Sequence, residues 1–476
     1  MAWERPNIVS GVTRATKQLF DKILDGIDGA HAGLADRPTK EEANATYGRQ
    51  DKIVRSRDGA LGVWGHSYAF GIGASDVGRR YGSLLAEKLQ LSERMDAIAG
   101  TAVATESSGA SWAAVLQKVT RNSRGAVAGS GVPSTTQRGF APPGGVFVLN
   151  YGINDANTLG NTTTLLAPVK ESMRVVLSRL RAGAIFEDTS PTFSYTGTWP
   201  APASTDRNSG GSYRYASADG AAYTITTPED FPGGTVCIGY HAPSGAGKGA
   251  THSVKIDGGT ATSYEFRNAR SGAVQPHVLR LKGLTPGVHT ITGTVSGVSE
   301  YTAVDYWSWE APEPECPLIA VLNQPTLVDY SAYGTPLVTD AGVLALNQVL
   351  ADVVAEFGER TILVDLASMN KVAAYYMVDK LHPSDLGHQK IADLTYRAIT
   401  RSGFTIETGT APAQRVDRGT AIPTGTRTFY RVGDEIRNSN PVEEGTAGGK
   451  YITYGWICTV EGRPGTWLPL RYLTGN

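Results

Sequence analysis

Ala60-Leu61-Gly62-Val63-Trp64-Gly65-His66-Ser67 is the stretch on which the reading of this chain turns. The apolar run reads as a short buried strand. Gly65-His66-Ser67 then ends it in a turn that can leave a serine hydroxyl at the strand's carboxyl end, with Gly71-Ile72-Gly73 keeping the surroundings small. Any Gly-X-Ser turn looks like this, so its meaning depends on what lies around it.

Tyr81 to Leu89 predicts an amphipathic helix, with Leu84, Leu85 and Leu89 on one face, and Met95 to Ala99 a second strand. Val146-Phe147-Val148-Leu149 predicts a third strand, entered through the turn-forming Pro142-Pro143-Gly144-Gly145. Residues 161–182 return to helical spacing through Leu165, Val169, Met173, Val176, Leu177 and Leu180. Strands alternating with helices predict an α/β unit with a parallel sheet.

Residues 184–313 then turn rich in Thr, Ser, Gly, Tyr and Val, with short alternating runs such as Ser212-Tyr213-Arg214-Tyr215 and Ala222-Tyr223-Thr224-Ile225-Thr226. Such spacing argues a β-sandwich. The α/β pattern resumes with a strand at Leu318–Leu322, a helix over 340–357, a strand at Ile362–Asp365 and a helix over about 384–400. The sandwich is therefore read as an insertion into an α/β domain spanning 52–183 and 314–404. Before it, 1–51 holds a helix over 8–30 that either packs on the next domain or serves attachment and oligomerisation. After it come a Thr/Ala/Pro/Gly linker over 405–425 and a small β module over 426–476 with Tyr430, Tyr451, Trp456 and Trp467.

Two further motifs can bear chemistry. Asn154, in Gly152-Ile153-Asn154-Asp155, follows the third strand; its amide can donate to a developing oxyanion, and Gly152 lets the backbone approach closely. A turn asparagine bonding its own backbone is the plainer alternative. His382 precedes the last helix, with Asp379 near enough to hold its imidazole, which is what a weak alcohol nucleophile requires of a base. His241, His252, His277 and His289 belong to the insertion, His31 to the N-terminal segment, and His388 reads as structural. Ser67, Asn154 and His382 would all meet at the carboxyl edge of one parallel sheet.

On these motifs the α/β parts, over about 55–183 and 314–402, resemble the SGNH (GDSL-type) hydrolase family. The resemblance implies a flavodoxin-like fold with Ser67 as nucleophile, His382 as base and Asp379 in the Asp-x-x-His motif orienting it. It implies an oxyanion hole of Asn154, Gly100 (in Ala97-Ile98-Ala99-Gly100) and the Ser67 amide, supported by Gly65, Gly152 and Asp155. The family usually places Asp before the serine; here that residue is His66. The insertion looks like a carbohydrate-binding jelly roll, whose exposed aromatics would stack on sugars; Trp199, Tyr240, Tyr264, Trp307 and Trp309 are the candidates, although most aromatics in a sandwich are core, and a lid or contact surface is a further alternative. The tail, through Val432-Gly433-Asp434-Glu435-Ile436 and Gly455-Trp456-Ile457-Cys458, resembles a small β module at the ends of phage tail-fibre and tailspike proteins.

The 44 basic and 45 acidic residues nearly cancel, which argues against a nucleic-acid partner or a polybasic membrane protein. Three separated cysteines, Cys237, Cys316 and Cys458, suggest buried free thiols rather than a zinc site or a disulfide framework. The first residues carry no secretory signal pattern, and no apolar stretch approaches a membrane span. Together these lead to an expectation of a serine esterase carried on a phage tail and made in the host cytoplasm. It would remove acyl groups, O-acetyl above all, from host envelope glycans. No metal or organic cofactor is implied, and other tail proteins and a homotrimer are expected as partners. The alternatives are a non-catalytic receptor-binding adhesin on a hydrolase fold and a bacterial carbohydrate esterase.

Overall fold

The computed structural model describes residues 53–56, 59–97, 99–104, 106–107, 110–111, 145–200, 203–204, 212–269, 274–312, 316–331, 338–408, 416–422, 433–460 and 465–474. The helix expected over 8–30, with the whole of 1–51, lies outside the described residues.

The chain first forms β1 (Ile53–Ser56), β2 (Ala60–Gly65), α1 (Tyr81–Lys88), β3 (Ser92–Ala97), β4 (Val146–Asn150), α2 (Ile153–Leu159) and α3 (Ala167–Leu180). Eleven segments later in sequence build the insertion. They are β5 (Ala182–Glu187), β6 (Phe193–Thr196), the short pair Ala203–Ser204, β7 (Ser212–Ala216), β8 (Ala222–Thr226), β9 (Gly234–Ala242), β10 (Gly249–Ile256), β11 (Thr262–Arg267), β12 (Gln275–Leu284), β13 (Thr290–Ser299) and β14 (Thr302–Glu310). The chain then returns through β15 (Leu318–Leu322), α4 (Asp340–Phe357), β16 (Thr361–Val364) and α5 (Asp385–Arg401).

β16, β15, β4, β2 and β3 lie side by side in that order, all parallel. Counted by appearance in the chain, the order is 2-1-3-4-5. The sheet is apolar on both sides because helices cover both. Phe147, Leu149, Ile319 and Val321 pack with α3 and α4; Leu61, Val63, Val148 and Ala320 pack with α1 and α5. Polar caps start the helices: Thr339 Oγ1 accepts from the Gly342 amide, and Ser384 Oγ from the Gly387 amide. α3 begins later than the spacing predicts. Pro168 sits in its first turn, where its missing N–H costs nothing, and Leu165 falls in the turn before it, 51% exposed.

The insertion is an antiparallel two-sheet sandwich. One sheet runs β12-β9-β14-β7 to Ala203–Ser204, with β5 also on β14; the other runs β11-β10-β13-β8-β6. The first sheet is covered twice. Its inner side chains, Ile238, Tyr240, Leu279 and Trp307 among them, form the sandwich core. Its outer side chains Cys237 and Val278 join the core of α3 and α4. Arg179 stacks on Tyr306 at 4.2 Å and Arg280 on Phe357 at 3.8 Å. His277 Nδ1 lies 3.2 Å from Glu171, and Arg280 donates to the Glu356 carbonyl at 2.7 Å. The sandwich is thus packed against the α/β domain rather than tethered to it. Cys237, Cys316 and Cys458 are buried free thiols.

The linker expected over 405–425 is corrected in part. Thr405–Thr408 is a strand (β17) paired in parallel with β1, which closes the α/β domain beside α5. Val416–Gly419 (β18) pairs with Glu435–Asn438 (β19), joining the sheet completed by Tyr451–Val460 and Thr466–Leu473. That sheet closes over Ile436, Cys458 and Trp467.

Candidate active site

The strand order reverses between β2 and β4, and a crevice outside the carboxyl ends forms at such a point. Ser67 follows β2 by two residues, and Asn154 follows β4 by four, in the first turn of α2. The two turns are stitched together: the His66 amide donates to the Asn150 carbonyl at 3.2 Å. Gly65 is required here, because a Cβ would lie 2.5 Å from the Asn150 oxygen and 2.8 Å from the Ala69 methyl. Ser67 opens the helical turn Ser67–Phe70, which ends at Gly71 with φ +96°. His66 caps that turn, its Nδ1 accepting from the Tyr68 amide at 3.4 Å.

His382 and Asp379 lie in a tight turn before α5, with Lys380 at φ +58°. The Asp379 carboxylate is held three ways. His382 Nδ1 lies 2.7 Å from Oδ2, and the amides of Leu381 and His382 both donate to Oδ1 at 3.0 Å. Partial burial opposes ionisation of Asp379, but these hydrogen bonds and the imidazole outweigh it and hold its carboxyl below the usual range. With Nδ1 donating to Asp379, Nε2 of His382 is the atom left to act as base.

The serine and histidine turns abut. Tyr68 Oη donates to the Leu381 carbonyl at 2.7 Å, and the Tyr68 and His382 rings meet edge-on at 6.4 Å. Ser75 donates through its amide and hydroxyl to Asp385 at 2.8 and 2.7 Å. His388, buried in α5, lies 3.1 Å from the Ile72 carbonyl and accepts from the Tyr81 amide at 3.4 Å, a fastening role. In this arrangement the Ser67 hydroxyl meets His66 Nδ1, at 3.4 Å, rather than His382.

The oxyanion candidates also converge. Gly152, at φ +112°, turns the chain out of β4; a Cβ there would strike Leu346 at 2.7 Å. Asn154 Nδ2 donates to the Thr101 carbonyl at 3.0 Å, which leaves its second N–H for another acceptor. Asp155, fully buried, accepts from the amides of Val103 at 2.8 Å and Ala104 at 2.7 Å. It pins the loop holding Gly100, which is exposed at φ +79°. Hydrogen bonds thus join the Asn154 turn to the loop after Gly100, and the Ser67 turn both to the end of β4 and to the His382 turn.

The proposed sugar-stacking aromatics are corrected. Trp199, Tyr240, Trp307 and Trp309 are buried in the sandwich core, where two sheets face each other, and Tyr264 is half-buried against it. A different cluster is accessible. Tyr213, Tyr215 and Tyr301 are half-buried, with centroids 5.7–6.5 Å apart. Tyr213 and Tyr215 alternate on β7, and that spacing was the only sequence signal for them. Register places the cluster toward the site's end of the molecule. Tyr215 pairs with Ala303, Ala303 with His241, and Tyr240 with His277, which reaches Glu171 in the first half of α3. Sequence reasoning also missed Asn150 and Gln324, whose Nε2 donates to Asn150 Oδ1 at 2.9 Å below the site.

No protein-family model and no curated protein matches the chain. Among solved structures it is similar to a two-domain esterase (CEX) active on acetylated mannans, at 10% identity and TM-score 0.28, over 59% of this chain and 98% of that one. It is similar to a family 35 carbohydrate-binding module from Clostridium thermocellum, at 16% identity and TM-score 0.22, over 27% of this chain and 98% of that one. An exo-beta-1,3-galactanase from Phanerochaete chrysosporium matches at 21% identity and TM-score 0.21, over 26% of this chain and 28% of the galactanase.

Proposed function

We propose that this chain is a serine esterase of the SGNH type that removes O-acyl groups from a carbohydrate. The observation that carries the reading is the Asp379–His382 pair at 2.7 Å, seated on a turn bonded to the Ser67 turn at the sheet's switch point. The 2-1-3-4-5 order is the flavodoxin-like one that this reading requires.

Ser67 Oγ attacks the ester carbonyl while His382 Nε2 takes its proton. Asp379 stabilises the imidazolium so formed. Asn154, the Gly100 loop and the Ser67 amide donate to the oxyanion as it develops. Collapse expels the alcohol, which receives the proton from His382, and leaves Ser67 acylated. Water then attacks with His382 again as base, releasing the carboxylic acid and restoring the serine. Nothing in this cycle calls for a metal or organic cofactor.

A glycan substrate is supported by the Tyr213, Tyr215 and Tyr301 rings, whose faces suit stacking against the C–H face of a pyranose. Release of acetate from acetylated polysaccharides, lost in Ser67→Ala, tests this reading. The further reading, a trimeric phage tail protein acting on the host envelope, is supported by the C-terminal sequence motif; mass spectrometry of purified virions tests it. A second reading, an adhesin on a hydrolase fold, is favoured by the Ser67 hydroxyl meeting His66 instead of His382. Failure of a fluorophosphonate to label folded protein would support it.

A further inference from the structure

The residue before the nucleophile is an imidazole buried at 0% exposure, and the cycle above leaves it without work. Its Nδ1 accepts from the Tyr68 amide and lies 3.4 Å from Ser67 Oγ. That fixes the tautomer: Nδ1 carries the lone pair, so the proton of a neutral ring sits on Nε2. Among the described residues Nε2 makes no direct hydrogen bond, and neither does Gln324 Oε1 or Asn150 Nδ2, although all three are buried together at the same strand ends. Gln324 is held in place by its bond to Asn150 Oδ1 at 2.9 Å and by the Tyr151 carbonyl at 3.4 Å. Its Oε1 is the acceptor a small rotation brings to the Nε2–H, and Asn150 lies beside it.

We propose that His66 is a positioning residue for the nucleophile, holding the Ser67 hydroxyl through Nδ1 while Gln324, itself held by Asn150, locks the ring in the tautomer that can do so. The inference rests on the esterase reading. Burial, and next the nearby charge of His382, push the His66 ring down to about 3, with the Gln324 and Asn150 amides only partly opposing. The ring therefore stays neutral while His382 shuttles the proton. In the resting enzyme the serine is parked on His66; substrate binding needs only a rotation of Oγ to hand it to His382. A carboxylate at this position would cap the turn equally well, but would place a negative charge beside the attacking oxygen.

The test is a pair of near-isosteric variants. In His66→Asn the amide oxygen takes the place of Nδ1; in His66→Gln the amide reaches instead to the place of Nε2. The second-order rate of fluorophosphonate labelling at Ser67 is measured beside kcat and KM for a short acyl ester. We expect His66→Asn to keep both rates within about threefold. His66→Gln should lose about tenfold or more in labelling rate and kcat, with KM unchanged. Misfolding would reduce the fraction labelled, not the rate of the fraction that reacts, so the two are separable. Wild-type rates in His66→Gln, or equal losses in both variants, would overturn the role of His66 alone. An unlabelled wild-type protein would overturn the esterase reading and this one with it.

Discussion

The proposed nucleophile and its proposed base sit on turns of opposite character. The Ser67 turn is walled in: His66, Tyr68 and Ala69 are buried, Gly65 is pressed on Asn150, and the hydroxyl has one imidazole for company. The His382 turn stands out in solvent, with Val378 98% exposed and Lys380 in a left-handed conformation. Close packing surrounds the first; the second is held by backbone hydrogen bonds linking Met377 to Lys380 and to His382, and by three more to a single carboxylate. A serine must be aimed, which a close-packed edge does well, whereas a base that gains and loses a proton benefits from water and a paired carboxylate.

This contrast can be broken in graded steps. His382→Ala should remove about 10⁴-fold or more of kcat, with folding intact because the side chain is near the surface. Asp379→Ala should cost nearly as much in kcat and also loosen the turn, seen as faster amide exchange at Leu381 and His382; exchange unchanged there would show that the backbone alone holds the turn. Asn154→Ala should lower kcat about 10²–10³-fold with a smaller change in KM. Val378→Asp, on the open turn, should change kcat less than threefold, while Ala69→Leu, on the closed one, should unfold or inactivate the protein. A large loss in Val378→Asp would show that the open turn closes on substrate.

Buried imidazoles, one at the Ser67 turn and one in the sandwich core, set the response to acid. His66 and His252 are buried, and burial pushes both down to about 3, well below an exposed imidazole. The unfolded chain therefore binds protons that the folded one does not, between pH 6.5 and 3. Stability should be complete above that window and fall through it as pH drops, on the order of 2–3 kcal/mol per pH unit for the two groups together. Urea unfolding at pH 7, 6 and 5 measures this slope; His252→Gln should roughly halve it.

Where these motifs fall on the fold was legible in the sequence because each is local turn chemistry. Gly65-His66-Ser67, Gly152-Ile153-Asn154-Asp155 and Asp379-x-x-His382 each carry their geometry within a few residues, and apolar runs set the strands between them. Which sandwich aromatics are buried was not legible. Trp307 and Trp309 lie on a strand buried on both faces, by the second sheet and by α3, so alternation gave no sign of which side was wet. Nor was β17, since its partner Ile53–Ser56 lies at the far end of the described chain and the composition around it reads as linker. The network of His66, Asn150 and Gln324 joins three strand ends that only the fold brings together.

The central claim is that Ser67 is an esterase nucleophile driven by His382. Hydrolysis of p-nitrophenyl acetate by the purified protein, beside Ser67→Ala of equal thermal stability, tests it most directly. Turnover in the wild type and its loss in Ser67→Ala are expected; equal rates in the two folded proteins would rule Ser67 out as the nucleophile.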